Sequence, residues 1–155
     1  IPIFGATGFV EPYTEDGYKH VIDFLVAGKE DILGVSTGAK SKSLAIEKLN
    51  FPADKIVVAG NFVCYAIEKS KAEKKMIFCM PAKICDILGI DVHEYFDFEF
   101  SSIGELVERV KRTDYERLKT FFRSLAEDLS RKSGADVYVF DNSGDVLGCF
   151  PSIEK

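Results

Sequence analysis

Short apolar runs alternate with amphipathic helical stretches along most of the chain. The stretches between the runs repeat apolar residues at i, i+3, i+4 and i+7, as in residues 18–25, which indicates helices. This alternation predicts an α/β domain with a mainly parallel, Rossmann-like sheet flanked by helices. The apolar runs that are typical of buried strands lie at residues 1–4, 32–36, 56–59 and 76–79.

The final third of the chain departs from this alternation. Two helices follow one another without a strand between them, and each begins with a predicted capping box, Ser102 with Glu105 and Thr113 with Glu116. A C-terminal β-hairpin then turns at residues 142–144. Because no repeat or linker divides the chain, residues 1–155 are interpreted as a single domain.

Composition excludes two classes of partner. The net charge is -5 and the isoelectric point is about 5.1, whereas a protein that binds duplex nucleic acid needs many cations to displace counterions. No apolar stretch approaches the roughly 20 residues of a membrane span. We therefore expect neither nucleic acid nor membrane as a partner.

The four cysteines, Cys64, Cys79, Cys85 and Cys149, are spaced without a C-x-x-C pair. Free thiols in a reducing, cytoplasmic compartment are the simplest interpretation. With only two histidines in the chain, no metal site is predicted.

Glycine and small polar residues follow the predicted strands. Parallel sheets bind ligands beyond the carboxyl ends of their strands, so these loops are the candidate site. The same residue types also serve ordinary turns and helix caps, and the sequence leaves both roles open. The candidates of this kind are Thr7, Gly8, Thr37, Gly38, Gly60 and Asn61.

Three ionisable residues are further candidates, two of them in the same loops and His93 further along the chain. Glu11 precedes Pro12, which favours an extended backbone and a carboxylate held toward a ligand, or a local cap. Lys83 opens a helix, where a cation is unfavourable unless it faces an anion or solvent. His93 is a histidine, a residue type that often serves in binding sites, although a loop histidine is usually just solvated.

Three segments resemble the cobalt-precorrin-5B C-1 methyltransferases of anaerobic cobalamin biosynthesis, the CbiD family. The most specific is GATGFVEPYT at residues 5–14, which is similar to the family segment G-T-T-G-I-V-E-P-M-S. VAGNFVCYAIEKS at residues 58–70 and DVYVFDNSGDVLG at residues 136–148 resemble a G-N-F stretch and a strand-turn-strand ending. The order and spacing of the segments agree over nearly the whole chain.

The resemblance implies a function and a cofactor. Such enzymes transfer a methyl group from S-adenosylmethionine to ring carbon C-1 of a cobalt-corrinoid precursor. The chain resembles the second, Rossmann-like part of a two-part enzyme, so its expected partners are the corrinoid and either the first part or a second copy. The resemblance places Thr7, Gly8, Glu11, Gly60 and Asn61 at the functional edge.

The chain also departs from the family pattern after the fourth predicted strand. Ala82 stands where the family has glycine and Asp86 where it has a second lysine, while Lys83 matches the first lysine. A non-catalytic ligand-binding or regulatory domain on the same fold is therefore the alternative. A nucleotide-binding oxidoreductase is disfavoured, because the chain has no G-x-G-x-x-G fingerprint.

Overall fold

The computed structural model describes residues 15–151. The predicted strand at residues 1–4, and with it the candidate residues Thr7, Gly8 and Glu11, lie outside the described residues.

The described residues alternate helices and strands much as the apolar pattern predicts. In chain order they form α1 (Glu15–Val26), β1 (Ile32–Ser36), α2 (Ala39–Leu49), a 3-10 turn (Ala53–Lys55), β2 (Ile56–Val58), a second 3-10 turn (Gly60–Phe62), α3 (Val63–Lys69), β3 (Lys74–Cys79), α4 (Pro81–Leu88), a third 3-10 turn (Val92–Glu94), α5 (Ile103–Thr113), α6 (Tyr115–Ser133), β4 (Asp136–Phe140) and β5 (Val146–Phe150).

The five strands form one sheet in the order β2-β1-β3-β4-β5. The first four are parallel, and β5 pairs antiparallel with β4. The predicted fold class, a mainly parallel α/β sheet with a C-terminal hairpin, is confirmed. The chain passes from β1 to β2 on one side and then crosses to β3 on the other. The strand order therefore reverses between β1 and β3, which is where such sheets bind ligands.

The two faces of the sheet are covered unequally. On one face α2 packs with Phe51 over the inward side chains Phe78 and Phe140. The other face carries α1, α3, α4, α5 and α6, which bury the larger core cluster with Val35, Ile77 and other alternate strand residues. Each strand contributes side chains to both clusters, because successive side chains of a strand point to opposite faces of the sheet. Within the described residues, no helix is long and apolar enough to cross a membrane.

The caps of α5 and α6 differ from the two predicted capping boxes. Ser102 caps α5, and its Oγ accepts a hydrogen bond from the amide of Glu105 at 3.1 Å, but the carboxylate of Glu105 accepts from the amide and hydroxyl of Ser101, so only half of the predicted box forms. Thr113, however, is the last residue of α5, and its hydroxyl donates to the carbonyl of Arg109. The cap of α6 is Asp114, which accepts from the amide of Arg117 at 3.2 Å, so the predicted capping box at Thr113 is wrong.

Helix α6 approaches the sheet closely at Gly148 of β5. A Cβ atom placed there would lie 2.6 Å from the backbone nitrogen of Arg123 and 2.7 Å from the carbonyl carbon of Phe122. Because both are backbone atoms of α6, no side-chain movement can relieve the contact. Glycine is therefore required for α6 to pack on the hairpin.

We predict that Gly148→Ala lowers the free energy of unfolding by about 1–3 kcal/mol, as overpacking does, in urea titrations followed by circular dichroism. The matched control is Gly28→Ala, since a Cβ on Gly28 meets no atom within 4 Å. Equal stability of the two variants would contradict the packing argument.

Candidate ligand site at the carboxyl edge of the sheet

The carboxyl ends of β1, β2 and β3 lie side by side. The amide of Ala59 donates to the carbonyl of Ser36 at 2.9 Å, and the amide of Thr37 donates to that of Phe78 at 3.1 Å. The loops that follow these three strands therefore leave the sheet at one edge. Thr37, Gly38, Gly60, Asn61 and Lys83 all belong to these loops or to the first turn of the helix that follows.

Asn61 joins two of these loops through its side chain. Its Nδ2 donates to Asp86 Oδ2 of α4 at 2.9 Å, and its Oδ1 accepts from Lys83 Nζ at 3.4 Å. The cap residue of α3 is Phe62, so Asn61 does not serve as the cap that its position in the sequence also allowed. The structure thus brings Asn61 and Lys83 together with Asp86, and these side chains form an exposed polar cluster.

Gly60 has a conformational reason to be glycine. Its φ is +60°, in the left-handed region that favours this residue. A Cβ there would also lie 3.2 Å from the hydroxyl of Tyr18, whose ring packs on Phe62 with centroids 5.2 Å apart. The turn alone explains this glycine, and a ligand is not needed to account for it.

The loop after β1 is organised by hydroxyl groups. Ser36 Oγ and Ser41 Oγ donate to the carbonyl of Gly38 at 2.8 and 3.3 Å, and Thr37 Oγ1 lies 3.4 Å from Ser41 Oγ. Thr37 is buried, so its side chain supports the loop and does not face solvent. Gly38 is the N-cap residue of α2 and has an extended backbone. Because glycine has no side chain, the first amides of α2 receive no hydrogen bond from a side chain of the cap residue.

A groove opens beside the first turn of α4. Its volume is about 250 Å³, below the roughly 300–1,000 Å³ of a site that encloses a whole ligand, so it suits one ring or one substituent. It lies between the starts of α2, α4 and α5 and the turn after β4. The residues that line it are Lys40, Met80, Pro81, Ala82, Ile103, Gly104, Val107, Glu108 and Asn142.

His93 lies apart from this cluster in sequence and in its contacts. It belongs to the 3-10 turn that follows the far end of α4. Its ring stacks on Phe100 with centroids 4.3 Å apart, and its Nδ1 lies 3.3 Å from Asp91 Oδ1. Since its partners belong to the connection between α4 and α5, the structure does not join His93 to Asn61 and Lys83.

A second polar cluster holds the turn between β4 and β5. Lys111 of α5 donates to Asp141 Oδ2 at 2.6 Å, to Ser143 Oγ at 3.0 Å and to Asp145 Oδ2 at 2.8 Å. The side chain of Asp141 is fully buried and also accepts from the amides of Ser143 and Asp145. Burial alone would raise the pKa of Asp141, but the hydrogen bonds from Lys111, Ser143 and Asp145 outweigh it and hold the pKa below its usual value.

The four cysteines have free thiols, and two of them lie in the core near the edge. Burial raises the pKa of Cys85 to about 11 and that of Cys79 still further, so both stay protonated at neutral pH. A protonated thiol is a poor nucleophile. Among residues 15–151, no cluster of three or more histidine, cysteine or acidic side chains is arranged to hold a metal ion.

Comparison with protein-family models, curated proteins and solved structures found no match to this chain.

Sequence reasoning missed three polar residues that line the groove. Lys40 lies in the first turn of α2, Glu108 in α5, and Asn142 in the turn after β4. Lys40 had a usable signal, since it comes just after the predicted loop at Thr37 and Gly38. Glu108 had none, because its approach to the edge depends on how α5 packs.

We predict that Lys111→Met lowers the free energy of unfolding by about 3 kcal/mol at pH 7, because it leaves the buried carboxylate of Asp141 unpaired. Lys119→Met is the control. Lys119 pairs with the exposed Glu116, and such surface pairs contribute at most about 1 kcal/mol. Similar losses in the two variants would contradict a special role for the buried pair.

The pH dependence of the free energy of unfolding is a second test of the pair formed by Lys111 and Asp141. The folded-state pKa of Asp141 is below its unfolded value, so its contribution to stability is complete above about pH 4 and is lost as the pH falls through the folded pKa. The difference in free energy of unfolding between the wild type and Lys111→Met should therefore become smaller in acid. A gap that stays constant down to pH 2 would count against the pairing.

Proposed function

We propose that the carboxyl edge of the sheet binds S-adenosylmethionine. On this proposal the chain is a methyltransferase that acts on a cobalt-corrinoid precursor, or the cofactor-binding half of one. The observation that carries the proposal is the contact of two edge loops through Asn61, Lys83 and Asp86, at the edge where such sheets bind ligands. A groove that none of these three residues lines opens at the first turn of α4 on the same edge. The sequence resemblance supplies the identity of the ligand.

The residues present suit the chemical groups of this cofactor. The apolar walls formed by Met80, Ile103 and Val107 suit the flat face of an adenine ring. Asp86 is an acceptor for ribose hydroxyls or an ammonium group, and Lys83 is a donor for a carboxylate. The small volume fits the interpretation that the groove holds only one part of the cofactor.

S-adenosylmethionine supplies the methyl group as an electrophilic carbon. The work left to the protein is to bind and orient the two reactants, and good orientation contributes up to about 7–11 kcal/mol in favourable cases. Asn61 can orient a group at the edge because its hydrogen bonds to Asp86 and Lys83 are exposed, so its amide can exchange these partners for polar atoms of a ligand. The protonated thiols of Cys79 and Cys85 would not compete for the methyl group.

The methyl acceptor must lie largely outside the groove. A corrinoid is a large macrocycle that carries several carboxylate side chains, and a volume of about 250 Å³ cannot enclose it. Lys40 and Lys83 are both exposed near the edge, and they are suitable partners for such carboxylates. This arrangement fits the expectation that another part of the enzyme, or another copy, completes the acceptor site.

A non-catalytic ligand-binding domain is the second candidate, and a specific observation favours it. Asp86 occupies a position where the resembled family has lysine, and its carboxylate accepts the hydrogen bond of Asn61. The departure from the family pattern therefore falls within the polar cluster itself. An edge rebuilt in this way could retain ligand binding after methyl transfer had been lost.

We predict that Asn61→Ala raises the dissociation constant for S-adenosylmethionine by about 5- to 150-fold, the equivalent of 1–3 kcal/mol for a hydrogen-bonding group left without its partner. The free energy of unfolding should change by less than about 1 kcal/mol, because the bonds of Asn61 are exposed. Isothermal titration calorimetry and urea unfolding on the same protein give both values.

The control is Asn50→Gly, which removes an amide from the C-terminal cap of α2, where the left-handed backbone tolerates glycine. An unchanged dissociation constant in Asn61→Ala would remove Asn61 from the site, and absence of binding to the wild-type chain would contradict the proposed cofactor. Binding of S-adenosylmethionine and S-adenosylhomocysteine without methyl transfer to a corrinoid precursor, even with the other part of the enzyme added, would favour the non-catalytic alternative.

A further inference from the structure

Gly104 of α5 is a glycine that the packing of the described residues does not explain. It is the second residue of α5, and glycine is less favourable in a helix than alanine. Its φ is not in the left-handed region. Outside its own helix and its chain neighbours, a Cβ placed on Gly104 would meet one atom within 4 Å, Ser102 Oγ at 3.8 Å. Within residues 15–151, neither a turn nor a close approach therefore requires glycine here.

Gly104 lines the groove beside the first turn of α4, so its missing Cβ leaves additional open space in the groove. The walls on either side are apolar. Pro81 at the start of α4 and Val107 of α5 are buried, while Met80 and Ile103 are half-buried. A flat ring fits between such walls, and glycine allows it to approach the backbone of α5 closely.

Asn142 is the one side chain of the turn between β4 and β5 whose polar atoms are uncommitted. The other polar side chains of the turn bond to Lys111, namely Asp141, Ser143 and Asp145. Asp141 also accepts from two amides of the turn, which fixes its backbone. Asn142 lines the groove and has no hydrogen-bond partner in the described part of the chain. The turn therefore places an amide at the groove whose donor and acceptor are available to a ligand.

We propose that this groove is the adenine subsite of the cofactor site and that Asn142 selects the base. The side chain of asparagine presents a donor and an acceptor together, which match the N7 acceptor and the N6 amino donor of adenine. A 6-oxo purine presents two acceptors at these positions and cannot make both bonds. Glu108, which lines the same groove, is a further acceptor for the amino group. Gly104 leaves the space that the ring occupies.

This inference rests on the proposed function, because S-adenosylmethionine is the ligand whose base the groove holds. It adds the residues that choose the base. The exposed cluster of Asn61, Lys83 and Asp86 remains available for the ribose and methionine groups of the same molecule. Selection of the base and binding of the remaining groups are therefore assigned to different residues and can be tested separately.

Gly104→Ala tests where the ring lies. The added methyl group takes space from the ring, so the dissociation constant for S-adenosylhomocysteine in isothermal titration calorimetry should rise about tenfold or more. The midpoint of urea unfolding should stay the same or rise, because alanine favours the helix and its Cβ meets little else. The matched control is Gly28→Ala, whose Cβ also enters open space but lies outside the groove, and it should leave the dissociation constant unchanged.

The preference for adenine tests the role of Asn142. The wild-type chain should bind S-adenosylhomocysteine about tenfold or more tightly than its 6-oxo analogue, S-inosylhomocysteine, since a bidentate pair discriminates between bases by at least this factor. Asn142→Ala should bring the ratio of the two dissociation constants close to one. The urea midpoint should not change, because the side chain has no partner to lose. Asn50→Gly, which removes an amide far along α2, should keep the preference.

Three results would overturn this inference and leave the proposed function intact: a wild-type chain that binds S-adenosylmethionine without distinguishing the two bases, a preference that survives Asn142→Ala, or an unchanged dissociation constant in Gly104→Ala. If Gly104→Ala lowers the urea midpoint, the variant is damaged and the base preference in Asn142→Ala decides. Binding of adenosine with this preference, but not of S-adenosylmethionine, would support the groove and refute the proposed function. A wild-type chain that binds none of these compounds would overturn both.

Discussion

The parallel pairing of β1 on both of its edges is the constraint on which the rest of the structure depends. Leu33 and Val35 of β1 are fully buried, and the strand pairs with β2 on one side and β3 on the other. Since the chain reaches one neighbour through α2 and the other through α3, the helices on either side of β1 diverge at its carboxyl end. A place for a ligand arises there from topology before any particular side chain is considered.

Topology also explains why the polar clusters at this edge are built from residues far apart in the sequence. Asn61 and Asp86 are separated by 25 residues, and Lys111 and Asp141 by 30. Each pair links elements that meet only because the sheet has aligned the carboxyl ends of its strands. The apolar pattern therefore decides which loops are neighbours, and the polar residues then act on loops that are already adjacent.

The sequence predicts the fold well because the signals for it are local. Alternating apolar runs and helix periodicity predict the described strands, the helices and the hairpin within a few residues. The prediction of a capping box at Thr113 was wrong for a local reason too. Thr113 and Asp114 are neighbours, and either could cap α6. Because α5 extends through Thr113, the residue that caps α6 is Asp114. The loops of the site were predictable from strand ends, but the contacts of Asn61 and Lys111 were not, because they depend on how separate helices pack.

The two polar clusters at the edge differ in burial, and that difference bears on function. Breaking the buried pair of Lys111 and Asp141 would leave a charge without water or a partner, so this cluster holds the turn that carries Asn142 into the wall of the groove. The hydrogen bonds of Asn61 are exposed, and water or a ligand can replace its present partners at little cost. A binding site needs both kinds of contact, because a fixed wall preserves the shape of the groove while exchangeable groups elsewhere on the edge are free to bind an incoming molecule. The side of the edge that carries Asn61 and Lys83 is therefore the one on which ligand binding should depend.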